Sequence, residues 1–133
     1  MTIQASGTFD VNLVPLTGDM APYPGLGRMS IDKQFHGELE ASSKGQMLMV
    51  QAEVKGSAGY VAIEKVSGTL QGRKGTFLLQ HSGTMARGVG QLTVTVVPDS
   101  GTGELKGLAG KMTIDIRDGK HFYGFEYTLA PVP

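Results

Sequence analysis

Apolar and polar residues alternate almost one for one through most of this chain, and no segment keeps helical spacing for three turns. A period of two sends successive side chains to opposite faces of an extended backbone, so each run can bury a face only by joining a sheet. The 20 Gly residues stand between these runs and not in low-complexity tracts, as many short strands and tight turns require. Strands are expected at about Ala5–Leu13, Met29–Glu40, Gln46–Val54, Gly59–Leu70, Lys74–Met85 and Val89–Val97, followed by a last hairpin. There Asp118-Gly119 suits a two-residue type I′ turn that sets Arg117 opposite Lys120. One face then collects Ile116, Ile114 and Met112 with His121, Tyr123 and Phe125, and the other pairs Lys111 with Glu126. Eight antiparallel strands with short connections make a barrel or a sandwich. The small barrel is preferred because closure leaves no edge strand to protect.

The chain of 133 residues reads as one domain, 1–133, large enough for a real core without staples. It has no Cys, which excludes disulfides, thiolate nucleophiles and Cys-ligated metals. Twelve basic and twelve acidic residues are scattered, so nothing supplies the basic stripe that a nucleic acid needs. No basic segment followed by an apolar run opens the chain, and no apolar run has the length of a membrane span, so a cytoplasmic protein is expected. Leu16 to Arg28, with Pro22, Pro24, Gly18, Gly25 and Gly27, reads as a long irregular connection or a lid over a barrel mouth.

Chemistry is suggested in one place, the hairpin from Gly59 to Gly83. A two-residue turn at Gln71-Gly72 sets Glu64 opposite Leu79 and Ala62 opposite His81; a four-residue turn sets Glu64 opposite His81. Either even-length turn puts Tyr60, Ala62 and Glu64 on one face with Phe77, Leu79 and His81, because side chains alternate, whereas an odd-length loop or a β-bulge would put Gln80 there in place of His81. A four-residue loop at 55–58 adds Met49 and Gln51 to that face, and one at 41–44 adds Asp32, Gln34 and His36. The opposite face collects Ile31, Phe35, Leu39, Val61 and Ile63. Two readings follow. If the aliphatic set is the core, Glu64 and His81 are solvated surface. If the mixed face lines the lumen, the aliphatic face packs on a partner and a homo-oligomer, first of all a dimer, is expected.

Other motifs fail. Gly103–Thr113 lacks the glycine and the hydroxyl of a phosphate loop, and His36, His81 and His121 have no paired spacing for a metal. No cofactor or metal is expected. Under the inward reading Glu64 is a general base with its pKa raised by an apolar lumen, and His81 orients it. Tyr60, Phe77, Leu79, Met49, Gln51, Gln34 and His36 would contact the ligand, a small apolar or carbonyl-containing molecule. The function is then isomerisation, cyclisation or another proton transfer beside a carbonyl, or non-catalytic binding of an apolar molecule.

The block 59–83, GYVAIEKVSGTLQGRKGTFLLQHSG, resembles an uncharacterised bacterial family, domain of unknown function 3224. Pro98–Leu105 with Gly107-Leu108 and Gly110 resembles the family's next segment, and Gly7-Thr8-Phe9 and Phe35-His36-Gly37 also look like it. Ala62 and Lys65 stand where the family pattern more often shows Gly and Arg. The resemblance implies a small eight-stranded barrel of the allene oxide cyclase type, often oligomeric, with the positions of Glu64, Gln80 and His81 recurring and no assigned reaction. Likeness to the cyclase is one of fold, which does not carry an activity across.

Overall fold

In a computed structural model, residues 2–16 and 22–129 are described. The strands are β1 (Ile3–Pro15), β2 (Leu26–Gly37), β3 (Leu39–Gln51), β4 (Ala58–Leu70), β5 (Arg73–Ala86), β6 (Val89–Val96), β7 (Leu108–Arg117) and β8 (Lys120–Leu129). They close in sequence order into one antiparallel barrel, β1 pairing with β8. The expected lid segment falls partly outside the described residues.

The pairing row through Ala5, Phe125, Met112, Val94, His81, Ala62, Met47 and Met29 returns to β1 at Pro15. The row therefore climbs from residue 5 to residue 15, a shear of ten, which for eight strands means strongly tilted strands around an interior that side chains can fill or that can hold one small ligand. One end is filled. Phe35, Leu39, Leu70, Phe77, Leu79 and Phe125 are buried there, and a 3₁₀ turn at Gly103–Leu105 inserts Leu105. Gly75 makes room for that segment, since a Cβ at this position would stand 2.1 Å from the Thr102 carbonyl oxygen.

Turn chemistry set the register. Gln71 and Gly72 both have positive φ (45° and 86°), as a type I′ turn demands, and Glu64 pairs with Leu79 and Ala62 with His81. The Asp118-Gly119 turn sets Arg117 opposite Lys120 and Ile114 opposite Tyr123, as the pattern predicts. Between β3 and β4 the connection is longer than expected and Met49 pairs with Tyr60 instead of Glu64; the shift is even, so the face is unchanged.

The β2–β3 turn differs from expectation. No loop occurs at 41–44; β3 runs straight through those residues, and the chain reverses about Glu38. Gly37 takes φ 108°, its N–H donates to Glu40 Oε1 (2.7 Å), and Tyr123 Oη accepts the Leu39 N–H (2.9 Å). A reversal centred on a residue, with Phe35 opposite Ala41, shifts the register by an odd number of residues and so exchanges the two faces of β2. Ile31, Lys33 and Phe35 point inward, whereas Asp32, Gln34 and His36 face out.

Candidate functional site

Glu64 sits at the centre of the inward face of β4, 1% exposed. The mixed face therefore lines the lumen, and Val61 and Ile63 on the other face are about half exposed. An isolated carboxylate at such a place would be expelled or neutralised. Glu64 instead has three donors. Lys33 Nζ lies 2.8 Å and His81 Nε2 2.5 Å from Oε2, and Ser43 Oγ lies 2.6 Å from Oε1. Lys33, Ser43 and His81 are themselves buried. Each comes from a different strand, β2, β3 or β5, so only the closed barrel assembles them.

Local sequence makes the site fit. Gly45 pairs with Glu64, and a Cβ at Gly45 would lie 2.0 Å from the Ile63 carbonyl oxygen and 2.6 Å from Glu64 Cα. The ammonium of Lys33 stands 5.0 Å from the Phe9 ring centroid and 5.7 Å from that of Phe35, so aromatic faces shield the charge it shares with Glu64.

Burial by itself would push the Glu64 carboxyl up. It is outweighed by the His81 hydrogen bond, the charge and hydrogen bond of Lys33 and the Ser43 hydrogen bond, which bring the carboxyl down to about 2. The expected rise is thus reversed, because the lumen at this depth is polar and cationic and not apolar. An ionised Glu64 only accepts, so the proton on the His81–Glu64 contact resides on Nε2. His81 Nδ1 has no hydrogen-bond partner among the described residues, while no buried side-chain nitrogen or oxygen is left unsatisfied. Nδ1 therefore keeps access to open space.

The other end of the lumen is unfilled. A cavity of about 760 Å³ is lined by Met47, Met49, Tyr60, Met85, Leu92 and Met112 among others. The Tyr60 ring lies over Gly83, where a Cβ would come within 2.4 Å of it, and its centroid is 6.4 Å from that of His81. Burial first, and then the negative charge of Glu64, push the Tyr60 phenol up.

The structure brings Glu64, His81, Tyr60 and Met49 to one end of the lumen. Phe77 and Leu79 also face inward but are fully buried in the filled end. Gln51 is exposed at the end of β3, where its N–H donates to the Gly25 carbonyl. Of the seven expected ligand residues only Tyr60 and Met49 line the cavity, and two of the others stand outside the barrel altogether. Gln34 lies on the outer wall with Nε2 donating to the Ala41 carbonyl (3.1 Å), and His36, also outside, contacts Asp10 Oδ2 (3.1 Å). The shifted β2–β3 turn is the cause of both. It also hid Lys33 and Ser43, which sequence reasoning missed. Their signal was the alternation Ile31, Lys33, Phe35 against Ala41, Ser43, with Gly37 as the reversal. Among the described residues no three His, Asp or Glu side chains gather as a metal centre would need.

The family described as a protein of unknown function, DUF3224, matches residues 5–127. A crystal structure of a protein with unknown function from that family, from Shewanella oneidensis MR-1, superposes with a TM-score of 0.93 at 51% identity, covering 99% of this chain and 100% of that one. No curated protein matches the chain.

Proposed function

The chain belongs to the DUF3224 family of proteins of unknown function, and on that premise we propose that it binds a small apolar molecule in the open end of its barrel. One observation carries the reading: the open end holds a cavity lined by Met47, Met49, Met85, Met112 and Tyr60, and the Tyr60 ring stands 6.4 Å from that of His81 in the buried polar cluster. Thioether side chains adapt to irregular apolar shapes and favour aromatic partners. The apolar body of the ligand occupies the cavity, and one polar group, such as a carbonyl or hydroxyl, reaches the phenol of Tyr60 or His81 Nδ1. Glu64 holds the ring of His81 and does not meet the ligand. The test is titration with 8-anilinonaphthalene-1-sulfonate, followed by its fluorescence. Binding should saturate at one site and weaken at least about tenfold in Met112→Glu, which introduces a desolvated charge. Absence of saturable binding by the wild-type protein refutes the proposal.

A second reading makes the same pocket a cofactor-free isomerase or cyclase. The pairing of a carboxylate with Nε2–H favours it, because a ring so oriented leaves Nδ1 as the nitrogen that could take a proton. Glu64 then positions the base and is not the base. Deuterium exchange at the α-carbon of cyclohexanone, measured with wild type and His81→Gln, distinguishes this reading from binding alone. A homodimer, a cytoplasmic setting and kinship with the allene oxide cyclase barrel accompany the proposal, and the pocket itself requires none of them.

A further inference from the structure

Every seam of the barrel but one pairs over at least seven residues; β6 and β7 pair only at Val94–Met112 and Thr95–Lys111. Both strands continue well beyond that point, β6 back to Val89 and β7 on to Arg117. The wall is therefore split along half its height. The direction of the unpaired groups follows from alternation. Val97 N–H donates to the Leu78 carbonyl on β5, so the backbone groups of Gly90 and Leu92 turn toward β7. The hairpin pair Arg117–Lys120 turns residue 117 toward β8, leaving the groups of Ile114 and Ile116 toward β6. None of these four residues has a partner in the β6–β7 ladder.

The split is built in. The β5–β6 turn is tied away from β7, with the Gly88 N–H on the Gly56 carbonyl (2.9 Å) and the Arg87 N–H on Ser57 Oγ (3.1 Å). Gly56 permits the approach, since a Cβ there would lie 3.1 Å from Gly88 N. Proteins blunt open edges with charge or proline, yet Val89–Thr93 carries neither and exposes Val89 (70%) and Leu92 (43%).

We propose that this slit is a docking site for an extended polypeptide segment, which adds as a strand between β6 and β7. Two facing rows of unpaired N–H and C=O groups match the repeat of a peptide backbone and of no lipid or small aromatic molecule. Small or apolar side chains on its inner face would complete the wall, since Leu92, Ile114 and Ile116 line the cavity there. The segment would share Leu92, Ile114 and Ile116 with the cavity, but it is held by the backbone of the wall, which a ligand in the cavity does not pair.

The test is amide hydrogen exchange by NMR, with a capped synthetic copy of β6, Val89–Val96, as probe. In the free protein the amides of Gly90, Leu92, Ile114 and Ile116 should exchange fast compared with those of Val94 and Met112. With the peptide they should slow by at least about tenfold. A peptide N-methylated at alternate residues should have no effect, and Leu92→Pro, which deletes an unused edge donor, should weaken the response. Slow exchange of the four amides in the free protein, or no slowing with the peptide, overturns the proposal. Slowing that grows with protein concentration alone overturns it in favour of a second copy.

Discussion

Replacing Glu64 by Gln removes one negative charge from a place where, among the described residues, Lys33 has no other partner of that sign. The fall of the carboxyl from 4.5 to about 2 corresponds to about 3 kcal/mol of preference for the ionised form in the folded barrel. Glu64→Gln forfeits that preference and leaves the Lys33 ammonium, 6% exposed, without a counter-charge, a loss of about 3–5 kcal/mol. Urea unfolding with an unchanged m-value measures it. The same steps predict strong coupling. Lys33→Met alone is also destabilising, but Lys33→Met with Glu64→Gln should be better than the sum of the single changes by at least about 2 kcal/mol, since no unpaired charge remains. The pH dependence has a definite sign. A depressed carboxyl stabilises the fold above its unfolded value near 4.5, and that contribution is lost as pH falls toward 2. Wild type should therefore lose about 3 kcal/mol more than Glu64→Gln across that window. A loss under about 1 kcal/mol at neutral pH, or additive double mutants, would refute the account of Glu64 as the charged centre of the cluster.

Gly45→Ala should cost at least about 3 kcal/mol in the same assay, because its Cβ would meet backbone at 2.0 Å that cannot move without breaking the β3–β4 ladder. Gly72→Ala, with nothing within 4 Å, should cost only about 1 kcal/mol for its positive φ. Gly83→Ala pushes against the Tyr60 ring, so it should weaken 8-anilinonaphthalene-1-sulfonate binding by about tenfold with smaller loss of stability; equal binding would remove Tyr60 from the cavity wall. If the homodimer forms through the outer patch of Leu48, Val61 and Ile63, sedimentation equilibrium will show it, and Val61→Lys will return a monomer. A wild-type monomer at all concentrations removes that interface.

The reading of single hairpins succeeded where turn chemistry is local. Asp118-Gly119 and Gln71-Gly72 can each adopt the left-handed conformations of a two-residue turn; alternation placed Ile114 opposite Tyr123 and left Ala62 or Glu64 opposite His81, and the structure has Ala62 there. It failed at β2–β3, where Ala41–Lys44 looked like a loop. The reversal at Gly37-Glu38 depends on a hydrogen bond to Tyr123, which is 84 residues from Leu39. The odd shift in register then exchanged Gln34 and His36 for Lys33.

By itself the sequence determined that the chain is all-β, that Glu64 and His81 share a face, and which families of side chains alternate with them. These follow from a strict period of two and from glycine-bearing turns, both local properties. Only the tertiary structure decided that this face looks inward. Strand alternation has no memory of which side is inside; closure with a shear of ten chooses it by packing Phe35, Phe77 and Phe125 into one end. The charge state of Glu64 was settled in the same step, because its Lys33, Ser43 and His81 partners meet only when β2, β3 and β5 curve around β4.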